Sequence, residues 1–312
     1  MKSKMSQKKQ NCIFLFLTFF GFGTLQPNKY TVVKDGVCME DQCTGNIYPP
    51  ESIYYPPESI HSFIPDKMGF DEIYVINLKR RVEKRRIMEE TFKKLRLNVT
   101  FWDGVDGREI DQKYLDDIGI KMMPKYLDPY HQRPMKYGEI GCFLSHFNIW
   151  TDIVDKEYDK VLILEDDATF EPMFRRQWSR MFADVQEFIP NWDLVYLGRK
   201  ALKVDREREV DGSSFLIWPH YSYWTVAYAL SNIGARKLLS QKPLHKMVPV
   251  DEYLPIMFDR NPNGVDSWNK YFHPRNLVAV SLKPTLIKPS FGIDVGYVTD
   301  TEDTAILQLD EN

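Results

Sequence analysis

Glu165, Asp166 and Asp167 stand in succession directly after the aliphatic residues 161–164. Three adjacent carboxylates repel one another unless a cation or basic groups lie among them. Hard oxygen donors so spaced suit Mn²⁺ or Mg²⁺, which such sites often share with substrate phosphates. The metal then acts as a Lewis acid on a departing diphosphate. A solvated acidic turn is the plain alternative. What weighs against it is position, because ligands in open α/β sheets bind outside the carboxyl ends of the strands.

A second set of residues points the same way. Lys79, Arg80, Arg81, Lys84, Arg85 and Arg86 open a helical stretch directly after the apolar run at 73–78. Cations at a helix amino terminus oppose the macrodipole, so helix preference does not account for them. An anion held by free N–H groups and guanidinium forks does, and a solvated basic face is the competing reading. Basic and acidic strand ends in one sheet together suggest metal plus diphosphate, as in a nucleotide-sugar site. Transfer onto a hydroxyl also needs a general base, for which Asp251 and Glu252 are the candidates. If both are helical they point about 100° apart, so only one can face an acceptor. Asp251, near the helix start, is the expected one, although after Pro249 it also reads as a cap. His146 lies amid Phe143, Leu144, Phe147 and Ile149, which suits a hydrogen-bonded core histidine as well as a site residue. The aromatic stretch 221–224, YSYW, fits sugar stacking and core packing equally.

These side chains need a scaffold. Strands are expected at 72–78, 99–105, 161–165, 193–198 and 223–231 from their apolar and β-branched runs. Helices are expected after residue 79, over about 138–156 and 173–188, and just after residue 231. The first carries Met88, Phe92 and Leu95 at i, i+4 and i+7. Strands alternating with helices imply an α/β sandwich with a mostly parallel central sheet, in one domain over 68–302 with a tail at 303–312.

The 312 residues are 43% apolar and 14% aromatic, with a net charge of −3. That charge gives no electrostatic case for nucleic acid or an anionic membrane. Lys2, Lys4, Lys8 and Lys9 precede an apolar stretch at 12–25, so residues 1–28 read as a secretory signal peptide or an uncleaved signal anchor. The run is short for a bilayer span of about 20 residues, and membrane attachment is expected only if the signal is uncleaved. Residues 29–67 are Pro-rich, repeat YPPESI at 48–53 and 55–60, and read as an extended linker. Cys38 and Cys43 are close enough to pair in an oxidising lumen, and too few nearby ligands accompany them for zinc. Cys142 reads as a buried core thiol. Asn98 begins a glycosylation sequon.

Seven blocks occur in order: VINLKRRVEKRRIM, DGVDGREI, GEIGCFLSHFNIW, VLILEDDATFE, DLVYLGRK, YSYWTVAYALSNIGARKLL and MVPVDEYLPIMFD. Together they resemble glycosyltransferase family 25, within it the carboxyl-terminal domain of animal procollagen galactosyltransferases. The resemblance implies a GT-A-like fold and inverting, Mn²⁺-dependent transfer of galactose from UDP-galactose to hydroxylysine of collagen-like chains. It also implies donor-side roles for Asn77, Arg80, Arg85, Asp106, Gly141, Ser145 and His146. Glu165, Asp166 and Asp167 match the family's acidic motif, and Asp251 and Glu252 match its VDE block. The endoplasmic reticulum lumen is the implied location, although the residues LQLDEN carry no retrieval tetrapeptide. A catalytically silent relative serving as a binding or adhesion module is the alternative.

Overall fold

Alternation of buried side chains turns the apolar runs into a two-faced sheet. Ile73 and Val75 of one strand join Leu162 and Leu164 of another in one core cluster, whereas Tyr74, Val161 and Ile163 enter the opposite one. Period-two alternation places successive residues on opposite faces, so strands buried on both sides read as continuous apolar runs. The computed structural model describes residues 32–33, 36–37, 64–262, 268–290, 299–301 and 304–307. The expected signal, both YPPESI repeats, most of the expected linker and the Cys38–Cys43 pair lie outside them.

The chain divides into two units, Met1–Ser59 and Ile60–Asn312. In the first, β1 (Val32–Val33) pairs antiparallel with β2 (Gly36–Val37). The second holds everything else of note. Its elements are β3 (Glu72–Asn77), α1 (Val82–Leu95), β4 (Thr100–Asp103), α2 (Gln112–Asp117), α3 (Tyr137–Asp155), β5 (Lys160–Glu165), β6 (Ala168–Phe170), α4 (Phe174–Phe188) and β7 (Leu194–Ala201). β8 (Arg208–Glu209), β9 (Leu216–Trp218), β10 (Ser222–Ser231), α5 (Asn232–Ser240), α6 (Val250–Met257), β11 (Ala279–Leu282) and β12 (Ile287–Pro289) follow.

The main sheet has eight strands in the order β4-β3-β5-β10-β7-β11-β9-β8. β3, β4 and β5 are parallel, as are β7 and β11, and β10 runs antiparallel between β5 and β7. β12 and β6 form a separate antiparallel pair. Met88 and Phe92 of α1 and Trp178 and Val185 of α4 cover one face, and Trp150 of α3 and Tyr253 of α6 cover the other. This is the expected α/β sandwich, consistent with a GT-A-like architecture. Its sheet is mixed, and the reversal of β10 matters. It brings the start of β10 to the edge where β3, β4 and β5 end, so Thr225 lies beside Glu165.

That edge is braced by the start of α3. Ser145 Oγ donates to the Gly141 carbonyl at 2.7 Å and accepts the Val105 N–H at 2.8 Å. Glycine permits the approach: a Cβ on Gly141 would lie 2.4 Å from the Val105 carbonyl oxygen, and one on Gly107 would lie 2.5 Å from the Gly138 Cα. On the far side, Gly138 N donates to Thr304 Oγ1 at 2.8 Å, and Leu307 N donates to the Met135 carbonyl at 2.8 Å. Gly→Ala inside a helix ordinarily stabilises by about 1 kcal/mol. Gly141→Ala should do the reverse here, costing about 1–3 kcal/mol as the 105–107 loop is forced off α3. Thermal unfolding should register a Tm several degrees lower, at roughly 2–4 °C per kcal/mol for this size. An unchanged or raised Tm would show that the contact is not tight.

Candidate functional site

At this edge the strand ends enclose a cavity of about 360 Å³. Its charged lining is mostly carboxylate: Asp128, Glu139, Glu165, Asp166, Asp167, Asp251 and Asp300, with Lys84 among them. Glu165 ends β5, and Asp166 and Asp167 form the turn into β6. Each carboxylate is held differently.

Glu165 accepts from Thr225 Oγ1 at 2.5 Å, and His146 Nε2 stands 3.7 Å away. Burial pushes its carboxyl up, but His146 and Thr225 outweigh that and hold it below the ordinary value. Asp166 is clamped, with Oδ1 2.9 Å from Lys84 Nζ and Oδ2 accepting from Asn77 Nδ2 at 2.7 Å. Its carboxyl is raised by burial, which Lys84 and Asn77 offset only in part. Asp167 faces the cavity, and its backbone carbonyl accepts from Ser290 N at 2.8 Å.

Asp251 and Glu252 sit in the first turn of α6, behind Pro249 at the N-cap, and neither caps the helix. They point apart. Glu252 is buried away from the cavity, accepting from the Tyr221 hydroxyl at 2.7 Å and also from Tyr223 and Asn261. Asp251 turns into the cavity, where its Oδ1 is buried without a hydrogen-bond partner. Burial, then the negative charges of Glu165 and Glu252, push its carboxyl up to about 8. The Trp224 backbone N–H donates to it. Trp224 can do so because β10 bulges between Tyr223 and Ala227, with Trp224 at φ 68°. Positive φ is costly for a bulky residue, and such strain clusters at functional sites.

The basic residues after β3 separate. Arg80 pairs with Asp106 at 2.5 Å and Asp300 at 2.8 Å, Arg81 with Asp300, and Lys84 with Asp166. Internal carboxylates therefore account for much of the basic run. Arg85 stands apart from the cavity, 3.0 Å from Glu89 with its guanidinium 4.4 Å from the Phe101 ring. The phase of α1 explains this. Lys84, Met88, Phe92 and Leu95 share one stripe, so Lys84 turns inward and Arg85 sideways. That stripe is visible in the sequence and singles out Lys84.

Of the other expected residues, Asn77 ties β3 to Asp166, and Asp106 joins Arg80 while accepting the Arg108 N–H at 3.0 Å. Gly141 and Ser145 hold α3 to the 105–107 loop. His146 is 0% exposed, with Nδ1 2.9 Å from the Tyr228 hydroxyl, so it is both a hydrogen-bonded core histidine and part of the cavity wall. Cys142, expected in the core, is half-buried on the same wall. Thr225 and Asp300 were missed, because only the reversed β10 and the return of the 299–301 segment bring them here, whereas Trp224, part of the YSYW stretch, does line the cavity. Tyr223 does line the cavity, edge-on to Tyr130 at 5.6 Å.

The lining offers hard oxygen donors of the kind a divalent cation takes, and Lys84 offsets only part of their charge. An anion held beside that cation would meet Lys84. Lys84→Met should weaken UDP binding about tenfold or more, the loss of one charge-assisted contact at about 1.5–3 kcal/mol. Arg85→Ala should leave it nearly unchanged. Calorimetric titration with UDP checks both, and the opposite ranking would return the anion to Arg85.

The sequence model described as Glycosyltransferase family 25 (LPS biosynthesis protein) matches residues 70–254. A "Glycosyltransferase 25 family member" of Aedes aegypti is 50% identical over 253 residues, 80% of this chain and 41% of that protein. "Procollagen galactosyltransferase 1-A" of Xenopus laevis is 43% identical over 260 residues, 81% of this chain and 42% of that protein. "Probable inactive glycosyltransferase 25 family member 3" of Rattus norvegicus is 45% identical over 239 residues, 76% of this chain and 41% of that protein. The chain thus spans about two fifths of the length of the curated relatives it matches. Among the described residues, no helix is long and apolar enough to cross a membrane.

Proposed function

Because the chain belongs to glycosyltransferase family 25, we propose that its cavity transfers galactose from UDP-galactose to hydroxylysine of collagen-like chains, with inversion at the anomeric carbon. The observation that carries this reading is Asp251, a buried carboxylate with an unpartnered oxygen in the cavity that also holds the acidic strand end. In the transfer, Asp251 takes the proton of the acceptor hydroxyl as its oxygen bonds to the anomeric carbon. The bond from that carbon to the diphosphate breaks, and UDP leaves with the electron pair. Lys84, on the cavity wall, is the cation that would meet the diphosphate. Glu165, Asp166 and Asp167 would hold Mn²⁺, which supplies Lewis-acid neutralisation of the leaving group. The Tyr130 and Tyr223 rings offer faces to a sugar. The similarity to a relative named a procollagen galactosyltransferase supports the choice of sugar and acceptor, and the endoplasmic reticulum lumen is the compartment that fits it.

The test is a donor screen with the purified chain, Mn²⁺ and a hydroxylysine-bearing collagen peptide. UDP-galactose should release UDP and label the peptide. UDP release with no UDP-sugar would overturn the enzymatic reading, whereas transfer of another sugar would correct its specificity. A second reading, a catalytically silent binding module, is favoured by the relative named as probably inactive. Peptide binding without UDP release would establish it.

A further inference from the structure

Two donors on the cavity wall, Cys142 and His146, take no part in the proposed transfer. We infer that Cys142, His146 and Glu165 form a site for a borderline divalent cation of the Zn²⁺ class, which shares Glu165 with the acidic turn and differs from it by its sulfur and nitrogen donors. One ligand atom from each of the three lies within 4.8 Å of the others. Cys142 and His146 are one turn apart on the same face of α3, and Glu165 ends the neighbouring β5.

The histidine supplies the independent sign of a ligand. His146 is fully buried, its Nδ1 is engaged by Tyr228, and its Nε2 has no hydrogen-bond partner and faces Glu165. A buried polar atom left unsatisfied is destabilising, so proteins rarely keep one without a use. A cation accepting the Nε2 lone pair satisfies it. The tautomer this requires carries its proton on Nδ1, where the Tyr228 oxygen can accept it. That hydroxyl is itself fixed by the Trp150 indole N–H at 2.9 Å. Metal-ligating histidines are oriented by an acceptor on the other ring nitrogen in this way.

Donor chemistry sets the metal class. A sulfur, an imidazole nitrogen and one carboxylate oxygen suit Zn²⁺ far better than Mn²⁺, Mg²⁺ or Ca²⁺. Three protein ligands leave a fourth position, and here it opens into the cavity. Binding releases the Cys142 thiol proton to solvent and leaves no residue oxidised or reduced.

The inference concerns the unreacted protein and stands whether or not transfer occurs. The full chain, stripped of metal with a chelator, is titrated with Co²⁺ as probe. A thiolate-to-cobalt charge-transfer band should appear, and Zn²⁺ should displace it at far lower concentration than Mn²⁺. Cys142→Ser should abolish the band, and His146→Gln should weaken binding by about 100-fold, at or beyond the effect of removing an outer partner. Alkylation of Cys142, followed by peptide mass mapping of the unaltered chain, should be slowed by Zn²⁺, which keeps the test independent of how the variants fold. A band that persists in Cys142→Ser would place the metal on other cysteines of the chain and overturn the inference. So would displacement by Mn²⁺ as easily as by Zn²⁺, or alkylation indifferent to Zn²⁺.

Discussion

Asp251→Asn should lower kcat by roughly 10²–10⁴, the usual contribution of a general base, while UDP binding is kept. The reason is geometric before it is electrostatic. Asp251 is the α6 carboxylate that enters the cavity, whereas Glu252 is occupied by Tyr221, Tyr223 and Asn261. Electrostatics then adds a pH signature. The Asp251 carboxyl rises from 3.8 to about 8, so without a neighbouring cation it gains base character only as pH climbs toward that value. A cation on the acidic turn draws the value down and should shift the rising limb of the rate to lower pH. The same shift works against stability. The folded state keeps a proton that the unfolded state has lost between pH 3.8 and about 8, so stability falls as pH rises through that window. Asparagine removes the ionisation, and Asp251→Asn should therefore unfold at a higher temperature than the parent near pH 8. A dead but more stable variant is the expected combination, as when strain is relieved at a working site. If Asp251→Asn keeps its rate and Glu252→Gln loses it, the roles are reversed.

The second large effect belongs to Asp167. Its replacement by Asn should slow transfer by about 10²-fold or more, because a lost metal contact on the leaving diphosphate removes several kcal/mol of stabilisation. Asp167 lines the cavity beside Glu165 and Asp166, at the turn that follows β5. The loss should appear as a steeper Mn²⁺ requirement. Chelation should silence the parent, and Mn²⁺ should restore it. Unfolding temperature should barely change, since a turn carboxylate contributes little to the core. Full activity of Asp167→Asn at limiting Mn²⁺ would reduce the triplet to an acidic turn.

The sandwich could be read from the chain because long strands flanked by helices leave two independent signals, apolar runs and helical stripes. Observed bounds such as Tyr137–Asp155 and Phe174–Phe188 fall within a residue or so of the expected helices. The short β9, β11 and β12 carry too few residues for either signal, and α2 is a six-residue helix without a stripe of its own. At the site, the acidic triplet and Asp251 were readable because position at a strand or helix end predicts direction. Lys84 and Arg85 show the limit of reading by residue type alone. Both are cations at a helix start, and only the phase set by Met88 and Phe92 separates the one that faces the cavity. Thr225 and Asp300 depend on the reversal of β10 and a return from far along the chain, which local pattern does not encode.

Asp300 has a consequence in time. It pairs with Arg81 across 219 positions of sequence, and it also serves Arg80 and Lys84. At about 5–20 residues per second, a ribosome needs roughly ten to forty seconds between making the cations and making their partner. Loop closure over so long a span costs little more than over a short one, so the delay is one of supply rather than of free energy. The sheet and both helical layers can be in place while this corner still lacks the carboxylate that Arg81 shares with Arg80 and Lys84. The wall beside the acidic turn is finished only once residue 300 is free to pair with Arg80 and Arg81.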